Sequence, residues 1–127
     1  MEDLRSLPPL AAYQEYCRRG LLAYQYCPDD GKAVFFPRIM SPRSGSTNLE
    51  WRISKGLGVV HAVTTVHRRE EAPYNVSIIQ LDEGYRMMSR VEEVPPNQVK
   101  IGMRVRMRMH AGDGEQPDPV FVPAEDK

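Results

Sequence analysis

Residues 101–110 alternate more regularly than any other part of the chain. Met103, Val105, Met107 and Met109 fall on one side, Arg104, Arg106, Arg108 and His110 on the other. A period of two marks a strand with one face on a core and the other toward solvent. Residues 59–66 form a longer branched run, punctuated upstream by Gly56 and Gly58, which suits a strongly curved strand. His61, inside this apolar run, is expected to be a satisfied core residue. Residues 74–81 and 85–91 read as strands on either side of the tight turn Asp82-Glu83-Gly84. Pro95-Pro96-Asn97 then breaks the pattern before the alternating segment, and residues 120–122 make a short last strand. Five strands, the first long and bent, predict a small partly closed barrel of the OB type rather than a sandwich.

Upstream the period changes. Leu10, Tyr13 and Cys17 recur at three- and four-residue spacing behind Pro8 and Pro9, with Ser6 as cap and Gly20 as stop, which predicts a short amphipathic helix. Residues 21–27 and 33–38 are rich in aromatic and branched side chains and flank Pro28-Asp29-Asp30-Gly31, so they read as a hairpin. Residues 41–48 have loop composition. Leu49-Glu50-Trp51-Arg52-Ile53 alternates again and is taken as the opening of the strand-rich part. The chain therefore divides into an N-terminal unit, residues 1–48, and a mainly β domain, residues 49–127.

Composition narrows the function more than the fold. A chain of 127 residues can bury one modest core. Seventeen basic residues balance 17 acidic ones, so no global field draws it to nucleic acid or to an anionic membrane, and any charge argument must be local. No apolar run is long enough to span a bilayer and the N-terminus lacks an apolar signal region, so a cytoplasmic protein with no membrane contact is expected. Cys17 and Cys27 are expected to be free thiols.

One spacing suggests a cofactor that the residues do not support. Cys27-x2-Asp30, ten residues, then Ser41-x2-Ser44 is the frame of two zinc knuckles with a single cysteine left in it. Serine hydroxyls ionise far too weakly to replace thiolates, so zinc is not expected at Cys27, Asp30, Ser41 and Ser44. Without metal, the N-terminal unit must be held by Tyr24, Tyr26, Phe35 and Phe36 and by contacts to the barrel or a partner.

Catalysis by the chain alone is not expected either. Glu70-Glu71, Asp82-Glu83 and Glu92-Glu93 are neighbours in sequence that diverge along a strand or sit in turns, where paired charge is usually solvated. No Gly-rich phosphate loop, nucleophile elbow or His-Glu-x-x-His pattern occurs.

Leu49-Glu50-Trp51, Gly58-Val59-Val60, Thr65-Val66-His67-Arg68, Pro73-Tyr74, Leu81-Asp82-Glu83-Gly84, Arg86-Met87-Met88-Ser89-Arg90-Val91, Ile101-Gly102-Met103-Arg104-Val105 and Val120-Phe121-Val122-Pro123 come in a telling order. Together they resemble the acyl-CoA-associated OB-fold proteins known as the domain of unknown function 35 family. The resemblance implies an N-terminal helix, a rubredoxin-like zinc ribbon and an OB barrel, here with the zinc ligands degenerate. It further implies an accessory subunit in lipid or polyketide metabolism. Such a subunit assembles with a thiolase-like or other acyl-CoA enzyme and completes or gates the binding surface for the CoA thioester.

Candidate contacts for that ligand or partner are Trp51, His67, Arg68, Tyr74, Arg86, Arg104 and Arg106, since guanidinium binds phosphate bidentately. The alternative is a stand-alone OB-fold protein for single-stranded nucleic acid or another polyanion, carried by the arginine stripe. That strand has no aromatic platform for stacking bases, so nucleic acid is not expected and a solvated or ion-paired arginine face is.

Overall fold

In a computed structural model, residues 7–35, 37–110 and 116–124 are described. Helix α1, Pro9–Arg18, starts with proline in its first turn, where a missing N–H costs nothing, and its N-cap is Pro8 rather than a side-chain cap. Ser6, expected to cap it, lies outside the described residues. The helix buries Ala12, Tyr13 and Cys17, while Leu10, expected on the same stripe, is 48% exposed.

Three short strands follow the helix. β1 (Ala23–Cys27) and β2 (Lys32–Val34) form the expected hairpin, and β3 (Glu50–Ile53) pairs antiparallel on the other side of β1, giving the order β2-β1-β3. The segment read as the start of the strand-rich part thus completes the N-terminal sheet: Gln25 lies opposite Trp51 and Tyr26 opposite Glu50. Alternation identified the strand but could not name its neighbour, because a short strand carries no register information beyond its own two faces.

β4 (Leu57–Arg68), β5 (Glu71–Leu81), β6 (Arg86–Ser89), β7 (Arg104–His110) and β8 (Asp118–Pro123) make the second sheet, in the order β6-β5-β4-β7-β8. It curls until its far edges meet. A parallel bridge joins Val91 to Phe121, the Glu92 N–H donates to the Phe121 carbonyl at 2.7 Å, and the Phe121 N–H donates to the Arg90 carbonyl at 3.0 Å. This is the five-stranded OB barrel expected from the pattern.

The β4–β5 register slips between Val60 and Ala62 and again between Val66 and Arg68, so His61 and His67 both sit at bulges. A bulge inserts one unpaired residue and re-aims the side chains around it. That is why His61, expected in the core, is exposed.

One core runs through both sheets. Tyr24 and Phe35 of the N-terminal unit both stack on Tyr85 of the barrel, with ring centroids at 4.9 and 5.0 Å, and Tyr13 meets Phe35 edge-on at 5.6 Å. Two of the aromatics expected to hold the N-terminal unit therefore form its seam with the barrel. Tyr26 instead lies under the Arg52 guanidinium, 3.7 Å from the ring centre, and Phe36 lies outside the described residues. Cys17 and Cys27 are free, as expected, and both are buried.

The turn carboxylates are not idle. Glu83 accepts from the Ser54 hydroxyl at 2.7 Å and from the Lys55 N–H at 2.9 Å, clamping the link from β3 to β4. Glu92 accepts from Arg90 at 2.7 Å and from Arg108, tying the strap after β6 to β7 where the barrel closes. Burial pushes the Glu92 carboxyl up, but the Arg90 hydrogen bond and the charges of Arg90, Arg108 and His110 outweigh it and hold it below its ordinary value of 4.5. A carboxyl depressed by folding stabilises the native state above its unfolded pKa, and that stabilisation is lost as pH falls through the folded value. Urea midpoints should therefore fall as pH drops below about 4.5, and a Glu92→Gln chain should lose less over the same interval. Equal losses in both would remove this account of the closure.

Candidate functional site

The loop between β2 and β3 is shaped from inside. Gln25, 5% exposed on β1, donates its amide N–H to the Arg38 carbonyl at 2.9 Å and accepts from the Arg38 N–H at 2.7 Å. With its backbone fixed in this way, Arg38 stands at the rim of a cleft of about 370 Å³ between the N-terminal unit and the barrel. Phe35, Arg38, Pro42, Arg43, Tyr85 and Arg86 are among the residues that line it. Three arginines meet there and no acidic residue does. Arg38 and Arg43 form no ion pair among the described residues, and Arg86 donates only to the neutral Gln80 amide, at 3.0 Å. A guanidinium without a carboxylate partner is a ready anion site, and three converging suit a phosphate or diphosphate.

A second cleft lies beside the first. Phe35 and Arg86 line both, and Tyr13, Met87, Met88 and Asp118 complete the second, so the arginine-rich cleft adjoins an aromatic and thioether surface. This arrangement can hold an amphiphile with its anionic part at the arginines and a less polar part along Phe35 and Met87.

Of the residues singled out from sequence, Arg86 alone lines this cleft. Trp51 lies on β3, packed against Tyr16 with ring centroids at 5.4 Å, in a separate groove that also reaches Arg38. His67 and Tyr74 sit at the tip of the β4–β5 ribbon, whose other end carries Gln80 and the cleft. Arg68 is in β4, and its side chain lies outside those described. Arg104 pairs with Asp82 at 3.1 Å, and Arg106 is exposed beside it on β7. Arg108 pairs with Glu92 and, at 3.5 Å, with Glu93. Two of the three arginines of the stripe are thus paired with carboxylates.

Sequence reading missed Arg38 and Arg43. They lie in a loop without periodicity, but a signal was there: residues 31–49 contain Lys32, Arg38 and Arg43 and no acidic residue.

The four positions of the knuckle frame do converge. The Ser41 hydroxyl donates to the Asp30 carboxylate. Hydrogen bonds from Ser41 first, then Ser44 and Cys27, together with the nearby charge of Arg43, hold that carboxyl below its usual range. One thiol, one carboxylate and two hydroxyls do not fit a structural zinc ion, and the carboxylate already has its donors. Among the described residues no group of three or more His, Cys, Asp or Glu side chains is placed to hold a metal. No described helix is long and apolar enough to cross a membrane.

The model of the C-terminal OB-fold domain of ChsH2 matches residues 51–110. A DUF35 domain-containing scaffold protein of Methanocaldococcus jannaschii is 31% identical over 98 residues, covering 72% of this chain and 67% of its own length. The chain belongs to the DUF35 family. Another relative of this DUF35 chain, named a probable enoyl-CoA hydratase alpha subunit, from Thermomonospora curvata, is 31% identical over 118 residues, 90% of this chain. The chain spans only 37% of that protein. Among solved structures, the Ltp2-ChsH2(DUF35) aldolase contains a chain that superposes with a TM-score of 0.83 at 27% identity, covering 94% of this chain and 97% of that one.

Proposed function

We propose that this chain is a non-catalytic accessory subunit of an acyl-CoA-processing enzyme, with a thiolase-like enzyme as the partner, and that it holds part of the CoA thioester in the cleft between its two sheets. The observation that carries the reading is the meeting of Arg38, Arg43 and Arg86 in a cleft with no carboxylate among its described lining residues, beside a second cleft that shares Phe35 and Arg86 and reaches Met87. CoA has this polarity: phosphates at one end, an uncharged arm at the other. The names of the relatives support the same direction, since one is a hydratase subunit for enoyl-CoA and others are scaffold proteins. The partner would cover the exposed side chains on the same loop, Ile39 at 72% and Met40 at 50% exposure. Zinc has no part in this reading.

Calorimetry with CoA tests it on the chain alone and with a co-expressed thiolase-like enzyme. CoA should bind, and the Arg43→Ala/Arg86→Ala chain should bind it about 30-fold more weakly, as expected when charge-assisted phosphate contacts are removed. An Arg106→Ala chain should bind like the wild type. If the double variant kept its CoA affinity, or if Arg106→Ala lost as much, the cleft would not be the site.

A further inference from the structure

The cleft depends on a loop that leaves the turn at residues 28–31 and returns through residues 41–46, and in a ribbon of this spacing a metal ion would tie those two ends together. We propose that the Asp30 carboxylate takes the place of the metal, as the common acceptor that locks the two ends and so positions Arg38 and Arg43. The positioning half rests on the cleft as the anion site; the lock does not.

The polarity of the cluster is what carries this. A zinc site is a cation surrounded by lone pairs, so its ligands must be deprotonated and can donate nothing. Here the centre is an anionic acceptor and the surroundings are donors, which a serine hydroxyl can be and a thiolate cannot. Serine at position 41 is therefore matched to aspartate at position 30. Ser41 is 1% exposed, and without Asp30 its hydroxyl would be a buried donor with no acceptor.

The bonds around it spread the lock through the loop. The Arg43 N–H donates to the Ser41 hydroxyl oxygen at 3.1 Å, the Ser41 N–H to the Ser46 carbonyl at 2.8 Å, and the Gly45 N–H to the Ser41 carbonyl at 2.9 Å. A second tie runs beside the first, from the Ser46 hydroxyl to Asp29 at 2.6 Å. Arg43 is thus one backbone bond from the carboxylate, and Arg38 lies between the two anchored ends.

The test compares the wild type, Asp30→Ala, Ser41→Ala, the Asp30→Ala/Ser41→Ala pair, and a chain with Asp30→Cys, Ser41→Cys and Ser44→Cys that joins Cys27 to complete the thiolate set. Each is prepared with zinc supplied, then measured for bound zinc, for Tm with and without EDTA, and for CoA affinity. The wild type should hold no stoichiometric zinc and show a Tm indifferent to EDTA. Asp30→Ala should lower Tm by about 5 °C and weaken CoA binding several-fold. Its effect and that of Ser41→Ala should be strongly non-additive. The triple-cysteine chain should take up zinc, regain Tm and CoA affinity, and lose both to EDTA.

Stoichiometric zinc on the wild type, an unchanged Tm in Asp30→Ala, or additive effects of the two alanines would overturn the lock. The alanine cycle decides the matter even if the triple variant does not fold. A lowered Tm with CoA affinity intact would overturn the positioning of the arginines. A wild type that binds no CoA would sink the cleft reading and leave the lock to be judged on Tm and metal.

Discussion

Replacing Phe121 by alanine should cost about 4 kcal/mol of folding stability, the range for truncating a fully buried aromatic side chain. Phe121 is 0% exposed and belongs to the core cluster that reaches from Tyr13 and Cys17 in the helix to Val105 in β7. Its backbone bonds to Arg90 and Glu92 close the barrel and need no side chain, so they survive the substitution. What is lost is the ring, at the bridge where the strap after β6 meets β8, opposite Met107. The neighbours there are held by sheet bonds on both sides and cannot collapse into the space, which places the cost toward the high end. Urea denaturation should show the midpoint falling steeply while the slope stays unchanged. Met88→Ala, at a position 70% exposed, should move it by less than about 0.5 kcal/mol. Comparable losses from the two would mean that the core does not lie where the fold places it.

The second large effect should come from adding one carbon. A Cβ on Gly58 would stand 2.4 Å from the Gln80 carbonyl oxygen, a distance that real contacts essentially never show. That oxygen belongs to backbone, and its strand is held from both sides: Gln80 faces Arg86 on β6, and Leu81 faces Gly58 itself on β4. Gly58→Ala must therefore push apart the paired strands, at a cost of about 3 kcal/mol, the upper range for overpacking. Gly84→Ala makes the informative comparison. Gly84 has φ of 97° but nothing within 4 Å of its would-be Cβ, so it should lose only about 1 kcal/mol of backbone strain. Gly58→Ala should also weaken CoA binding, because Gln80 walls the cleft and holds Arg86. Equal stabilities for the two variants would show that the strands can part freely there.

These residues also show what could be read in the sequence. The five barrel strands were legible because alternation and branching repeat along each of them, and the order of short motifs supplied the family. The partner of residues 50–53 was not legible, since pairing with β1 is a matter between strands. Nor was the bulge at His61, where β4 carries one residue more than β5 opposite it. The candidate site divided in the same way. The frame at Cys27, Asp30, Ser41 and Ser44 was visible as a spacing, and its four side chains do face one another. The arginine cleft was not, because Arg38 and Arg43 come from one loop and Arg86 from a strand of the other sheet, and only the fold makes them neighbours. The histidine and arginines picked for their chemistry at strand ends proved to be scattered over the barrel, since a suitable side chain says nothing of what stands beside it.

Gln25 gives the Arg38 loop a property that neither the loop's own residues nor its composition would suggest. Both of the bonds it makes are to main chain, and the turn of the loop is written into β1, outside the segment that it shapes. The face at Ile39 and Met40 thus rests on a frame set by a residue buried beneath it, not by the side chains that the face displays.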